Sequence, residues 1–345
     1  MALEAVGDTR EFTLQDRVDH ILKDEKVKQQ ILESLDALAR TPGAAKRFSS
    51  DVASLRRGVE SFESVRGTPG LGELESIILR IGRPVLFVQN NTFDTSGLST
   101  AEPLIADWRD RLETARPTLE ANIPSIGRVN VRNHPTFDWV GTCWLVADDI
   151  VVTNRHVAEV FATGTPGGGF TFRRNFRNRP MSATVDFRME FGVDAVSEFP
   201  LTEVLHIEPD PGPDMAFFRL SRQGASPGAT TGNPVRLSAR APANDRRVAV
   251  IGYPAFDSRI PEPDTLRNIF GETFDIKRLA PGEIMRTDAD AVEHDASTLG
   301  GNSGSVVMDL ETGEAVGLHF AGSFLQANFA VPGSTVAARL AQFRT

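Results

Sequence analysis

Apolar positions change their rhythm once along this chain. Up to about residue 82 they recur at helical spacing; from about Pro124 they come in short β-rich runs separated by turn residues. In the first part Val27, Ile31, Leu35 and Leu38 share one helical face. Thr41-Pro42-Gly43 breaks that helix, with Thr41 as an N-cap and Pro42 at the first position of the next. Phe48, Val52, Leu55, Val59 and Phe62 then follow at alternating spacings, a narrow stripe that ends at "GTPG" from Gly67 to Gly70. Leu71, Leu74, Ile77, Ile78 and Ile81 make a further short amphipathic face. Such stripes predict the core of a helical bundle rather than a cofactor box, so residues 1–82 are expected to form a helical N-terminal module. The narrow stripe also leaves open a seam for a protein partner or for self-association.

Residues 83–123 read as a connecting segment packed on the domain that follows, being too apolar for a free linker. "PVLFV" at Pro84 to Val88 predicts a strand. A helix carrying Leu104, Ile105, Trp108 and Leu112 comes next, and Arg116-Pro117 is expected to interrupt it. Residues 124–345 contain "TCWLV", "DIVVT", "ATVDF", "LTEVLHI", "MAFFRL", "RVAVIGY", "SVVMD" and "AVGLHF". So many short strands with turn signals predict an all-β barrel or sandwich. "GSTVAARLAQFRT" predicts a terminal helix.

Composition narrows the setting. The chain of 345 residues is 40% hydrophobic and 24% charged, ordinary for a globular protein and long enough for two units. No apolar run reaches membrane-spanning length, and the start lacks the basic and apolar regions of a signal peptide. Cys143 is the single cysteine, which excludes an internal disulfide; together these predict a cytoplasmic protein. A net charge of −9 offers no electrostatic basis for nucleic-acid binding. One basic cluster, "FRRNFRNRP" with Arg173, Arg174, Arg177 and Arg179, reads as a solvated hairpin arm or as a docking patch for an acidic partner. No cofactor and no metal are expected.

The stretch "TLGGNSGSVV" sets Ser303 among three glycines. A serine hydroxyl is a weak nucleophile until a histidine takes its proton and a third group orients that histidine. Six histidines are available, and His156 stands out: in "VVTNRHVAE" it follows a β-branched strand where a polar turn begins. Asp214, in "GPDMAFFRL", opens an apolar run and would be costly to bury without a partner such as a histidine N–H. Taken alone it could equally cap a turn. The order His156, Asp214, Ser303 decides more than any one residue, because it is the chain order of the chymotrypsin-type triad and of neither subtilisin nor the α/β-hydrolases. "GNSGS" also departs from the G-x-S-x-G elbow, and a strand rather than a helix follows it.

With these residues in view, "GTCWLVADDIVVTNRHV", "PDMAFFRL", "VAVIGYP" and "TLGGNSGSVV…GEAVGLHFAG" resemble the histidine, aspartate, mid-barrel and serine motifs of bacterial trypsin-like serine proteases. "STLGGNSGS" followed by "GLH" is most similar to the staphylococcal-type glutamyl endopeptidases. The resemblance covers roughly residues 124–345. It implies two six-stranded antiparallel β-barrels, chymotrypsin-like, with the catalytic groups in the cleft between them; the α-helical N-terminal domain expected from the apolar spacing lies outside the resemblance. It implies His156 as general base, Asp214 as its orienting partner, Ser303 as nucleophile, and the N–H groups of Gly301 and Ser303 as the oxyanion hole. Thr298 and His319 match the pair that contacts an acidic side chain before the scissile bond, so the substrate would be a protein or peptide cut after Glu, Asp or Gln. Asn302 stands where the digestive trypsins carry the aspartate that receives a newly released amino terminus, so activation by clipping is not implied. Two other readings use the same residues: a catalytically inert protease-like scaffold that binds peptide, and an esterase. Cys143, in an apolar run with no basic neighbour, reads as a small buried hydrophobe.

Overall fold

The computed structural model describes residues 25–40, 56, 59, 83–98, 103–256, 269–322 and 328–343. The expected breaks at 41–43 and 67–70, most of the stripe from 48 to 62 and the face from 71 to 81 lie outside the described residues. Within them, the helix Glu25–Arg40 buries Ile31 and Leu35 and packs on a second helix, Pro103–Asn122.

Among the described residues, sixteen strands follow or flank that second helix. They are β1 (Leu86–Gln89), β2 (Thr92–Phe93), β3 (Ile126–Arg132), β4 (Trp139–Ala147), β5 (Ile150–Thr153), β6 (Ala162–Gly164), β7 (Phe170–Phe172) and β8 (Ser182–Asp186). The others are β9 (Glu198–Ile207), β10 (Ala216–Leu220), β11 (Arg247–Gly252), β12 (Arg278–Thr287), β13 (Val292–His294), β14 (Val306–Asp309), β15 (Ala315–Gly322) and β16 (Asn328–Pro332). A closing helix spans Gly333–Leu340. Six strands close a first barrel in the order β10-β5-β4-β3-β8-β9. Six more run β11-β14-β15-β16-β13-β12 and close through β11–β12. All these pairings are antiparallel. The upstream chain joins the second barrel directly, because β1 pairs with the start of β12, Leu86 opposite Leu279 and Phe87 opposite Arg278.

Strands β4, β5, β11 and β14 read as nearly unbroken apolar runs because both of their faces are covered. On β4, Cys143 and Leu145 face the first barrel's interior, while Trp144 and Val146 face the layer shared with the helices and the second barrel. Val151 against Ile150 and Val152 on β5, and Phe218 against Phe217 on β10, repeat the split. In the second barrel Val248 and Val250 point inward and Ala249 and Ile251 outward, with Val307 against Val306 and Met308 on β14. The period of two is intact; alternation in polarity is lost because neither face meets water.

One expectation fails here. Arg116-Pro117 does not interrupt the helix, which runs from Pro103 to Asn122 with Pro117 inside it. A proline within a helix costs about 3 kcal/mol. Ile105, Trp108, Leu112, Ala115 and Leu119 form one buried face, and large apolar side chains contribute about 2 kcal/mol apiece when buried. Arg116 also bridges the site, donating to Glu113 at 2.7 Å on one side and to Glu120 at 2.9 Å on the other. Packing outweighs the proline several-fold.

Between the barrels lies a buried cation that the sequence did not announce. Lys277 is fully buried and donates to the carbonyls of Ile123 and Phe187, at 3.1 and 2.7 Å, and to Glu190 at 3.2 Å. Burial pulls its pKa down to about 8 against the opposing attraction of Glu190. Beside it the Tyr253 hydroxyl meets the carbonyls of Ile126 and Asp186. These bonds tie the second barrel to the first.

Candidate active site

The first barrel brings His156 and Asp214 together. Strand β5 is fully buried and ends at Thr153, after which the short helix Arg155–Ala158 turns the chain and carries His156. The His156 Nδ1 lies 2.6 Å from Asp214 Oδ2, and the His156 backbone N–H donates to Asp214 Oδ1 at 3.1 Å. Asn154 donates to the Asp214 carbonyl at 2.9 Å, and Arg155 to the carbonyls of Pro209 and Gly212, both at 3.0 Å. Three consecutive residues therefore hold the aspartate loop. The histidine side chain is 48% exposed and the aspartate 15%, so the carboxylate is the more sheltered of the pair.

The second barrel supplies Ser303. It lies in the turn before β14, between two glycines in the left-handed region, Gly301 at φ 82° and Gly304 at φ 88°. A Cβ at Gly304 would stand 1.9 Å from the Thr142 carbonyl oxygen, and one at Gly301 would stand 2.5 Å from the Tyr253 carbonyl oxygen. Only glycine fits either place. The loop is tied across the cleft, with Thr142 N–H donating to the Ser303 carbonyl at 2.9 Å and the Thr142 hydroxyl to the Gly301 carbonyl at 3.0 Å. At Gly141 an added Cβ would meet both Val157, next to His156, at 2.9 Å and the Ser303 carbonyl oxygen at 3.0 Å. The helix that carries His156 and the turn that carries Ser303 thus close on the same glycine. Among the described residues, the Ser303 hydroxyl makes no hydrogen bond to His156. Such bonds are often long without substrate and tighten when it is bound.

The backbone donors of this turn divide in two. The N–H groups of Asn302, Gly304 and Ser305 donate to Leu299, His319 and Asn302. Among the described residues, those of Gly301 and Ser303 donate to no protein group.

A family model described as a trypsin-like peptidase domain matches residues 141–318, which is 178 of the 345 residues. The chain belongs to that family. It is a serine protease. A probable serine protease of Lysobacter enzymogenes is 27% identical to it, the match covering 81% of this chain and 76% of the relative. Two solved structures of the Rv3671c protease of M. tuberculosis also align with it. The active form is 19% identical with a TM-score of 0.43, over 68% of this chain and 87% of that one. An inactive form is 19% identical with a TM-score of 0.41, over 68% and 96%.

The protease gathers Thr298 and His319 into one buried polar cluster, with two residues more. Thr298 donates to Asn328 Oδ1, and Asn328 donates through its amide to the Ala296 carbonyl at 2.8 Å. His319 Nδ1 lies 3.3 Å from His294 Nε2. His294 ends β13, directly opposite Asn328 on β16. Its partnership with His319 depends on the register of β13, β16 and β15, which the spacing of residues along the chain does not reveal. The two acids that flank His294 in the chain are engaged, Asp295 with Arg83 and Glu293 with Arg286.

Burial, with the neighbouring His294 and His156, holds the His319 pKa well below its usual value. Its folded pKa is therefore below its unfolded one, near 6.5. Stability from this group is complete above about pH 6.5. As the pH falls further the unfolded chain takes up a proton that the folded one refuses, costing about 1.4 kcal/mol per pH unit. Urea midpoints measured from pH 7 to pH 5 are expected to fall more steeply for the native protease than for His319→Gln. Equal slopes would remove His319 from the acid response.

The single thiol, Cys143, is buried and its pKa is raised by that burial, which leaves it unreactive. The basic cluster forms an exposed arm in which Arg174 pairs with Pro180, and Arg177 lies over the exposed Phe176 ring. Among the described residues no helix is long and apolar enough to cross a membrane.

Proposed function

We propose that the chain is an endopeptidase working through Ser303, His156 and Asp214, with Gly301 and Ser303 as its oxyanion donors. The observation that carries this reading is the two-point grip of Asp214 on His156, through the ring nitrogen and the backbone N–H together. That grip leaves Nε2 as the nitrogen able to take the Ser303 proton. Attack of Oγ on the scissile carbonyl would form the acyl-enzyme and pass the proton to His156, which returns it to the leaving amine; water then repeats the sequence. Developing charge on the carbonyl oxygen would meet the two uncommitted N–H groups. A peptide-binding scaffold has no use for donors held open beside a gripped histidine.

The proposed preference is for Glu before the scissile bond, with Asp or Gln as weaker alternatives, set by Thr298 and His319. Support comes from the absence, among the described residues around this cluster, of a carboxylate left for a Lys or Arg side chain. In this conformation the Thr298 proton is committed to Asn328, so His319 is the main candidate donor. If His294 Nε2–H donates to His319 Nδ1, then His319 carries its own proton on Nε2 and offers it to substrate. A bound carboxylate favours the imidazolium form, so binding Glu draws in a proton.

The experiment is a peptide series differing only in the residue before the scissile bond, run beside labelling with a small fluorophosphonate. Labelling at Ser303 separates an enzyme from an inert scaffold. Glu is expected to lead the series, and its advantage over Gln to grow as the pH falls from 8 to 6. His319→Ala should lose that advantage while Ser303 still labels. Preferred cleavage after Lys, Arg or a large aromatic residue would sink the specificity assignment and leave the catalytic one standing. The one inert thiol fits a reducing, cytoplasmic setting, and the N-terminal helices remain the proposed site for a partner or a second copy.

A further inference from the structure

The residues before Ser303 that wall the proposed pocket, 295–298, are held at every position. Asp295 accepts from the Glu283 N–H at 2.7 Å and from Arg83 Nε at 2.7 Å, with Arg83 Nη2 on its second oxygen. Ala296 lies against β12 so closely that a Cβ at Gly282 would stand 2.5 Å from its nitrogen. Ser297 donates its hydroxyl to the Arg83 carbonyl at 3.1 Å. Thr298 is bonded to Asn328. Two of the four positions are therefore held by one residue, and that residue comes from 212 positions upstream of Asp295.

Arg83 is built for this place. It is 4% exposed, its planar fork takes both oxygens of Asp295, and Nη2 reaches Glu283 at 3.1 Å. Its guanidinium lies 5.1 Å from the Trp108 ring centroid, on the helix Pro103–Asn122. Three residues later the same strand of chain enters the second barrel as β1. Lysine cannot copy a fork that makes paired bonds. Arg83 also lies outside residues 141–318, the part matched by the family model, so this support comes from the upstream chain.

We propose that Arg83 is a positioning residue for substrate specificity: through Asp295 and Ser297 it fixes the pocket wall on which Thr298 sits. The inference rests on the reading of Thr298 and its neighbours as that wall. It makes the segment from residue 83 onward part of the protease's working unit rather than a tether. The Ser303 turn itself is held by other groups, Thr142 and the β15 backbone at His319. Reaction at the serine and selection of the side chain are thus supported separately.

The test is the peptide series with Arg83→Lys and Arg83→Met, run beside Arg246→Met, which breaks a different arginine–aspartate pair, the part-buried one to Asp309 at 2.9 Å. Arg83→Lys keeps a cation beside Asp295, so it folds if the methionine variant does not. For the favoured residue, Arg83→Lys is expected to raise KM roughly ten-fold and Arg83→Met up to about a hundred-fold, the range for misplacing a substrate-positioning group by about an ångström. kcat should change much less, the preference among residues should flatten, and fluorophosphonate labelling of Ser303 should continue near the native rate. Arg246→Met should lower the melting temperature without moving KM or the preference. An unchanged preference in folded Arg83→Lys, or an equal loss of preference in Arg246→Met, overturns the proposal. Failure of the native protein to label at Ser303 would instead overturn the catalytic reading, so the two failures are distinct.

Discussion

Ser303→Ala is expected to lower peptide turnover by about a million-fold while leaving the fold and melting temperature near native. The size follows from what the hydroxyl does. Without it no acyl-enzyme forms, and what remains is whatever rate the two N–H groups and substrate binding can give to direct attack by water. His156→Ala should cost about as much, because a neutral serine without a base is scarcely a nucleophile. The double variant should be hardly worse than either single one, since the two residues act as a unit and their effects do not add. Stability should hold because the turn is fixed by its backbone. The Thr142 bonds and the left-handed Gly301 and Gly304 do not involve the Ser303 hydroxyl. Near-native turnover by Ser303→Ala, in a preparation with no other protease, would mean that the nucleophile lies elsewhere.

Much of this site was legible because its signals are local or lie in the order of the chain. The glycines around Ser303, the β-branched run ahead of His156 and the apolar run after Asp214 each report backbone geometry within a few residues. Local signals fade where a side chain's partner is chosen by packing. His294 carries no mark of its role: the 25 residues between it and His319 are bridged by strand register alone. Nothing around Arg83 points to Asp295, and Lys277 looks like any surface lysine until two barrels close over it. Pro117 misled for the complementary reason. A helix-breaking residue is a local cost, and the buried stripe from Ile105 to Leu119 is a tertiary gain that exceeds it. The upstream helices share this limit. Ile31 and Leu35 are buried as their spacing predicts, yet spacing alone does not say against what.

Asp214→Asn is expected to reduce kcat by about ten-thousand-fold with only a small change in KM. The carboxylate here makes two bonds of different kinds. One oxygen accepts from the His156 backbone N–H at 3.1 Å, which can only donate, and the other faces ring Nδ1 at 2.6 Å. An asparagine has one oxygen and one NH2 group to offer these positions. Placed with its oxygen on the backbone N–H, it presents NH2 to Nδ1, which must then accept. The imidazole proton is forced onto Nε2, the nitrogen that should take the proton of Ser303. Turned the other way, the amide sets NH2 against the backbone N–H, losing that bond, worth about 1 kcal/mol net, and leaving a donor unsatisfied. The first orientation wins, so the geometry survives with the wrong tautomer. Nitrogen-15 shifts of the His156 ring should show the proton moving from Nδ1 in the native protease to Nε2 in the variant. Fluorophosphonate labelling should slow along with peptide turnover, because both need the activated hydroxyl. If Asp214→Asn kept kcat within about ten-fold of native, far above the loss expected for a trapped tautomer, Asp214 would only be anchoring the helix that carries His156, and the orienting role would have to be given up.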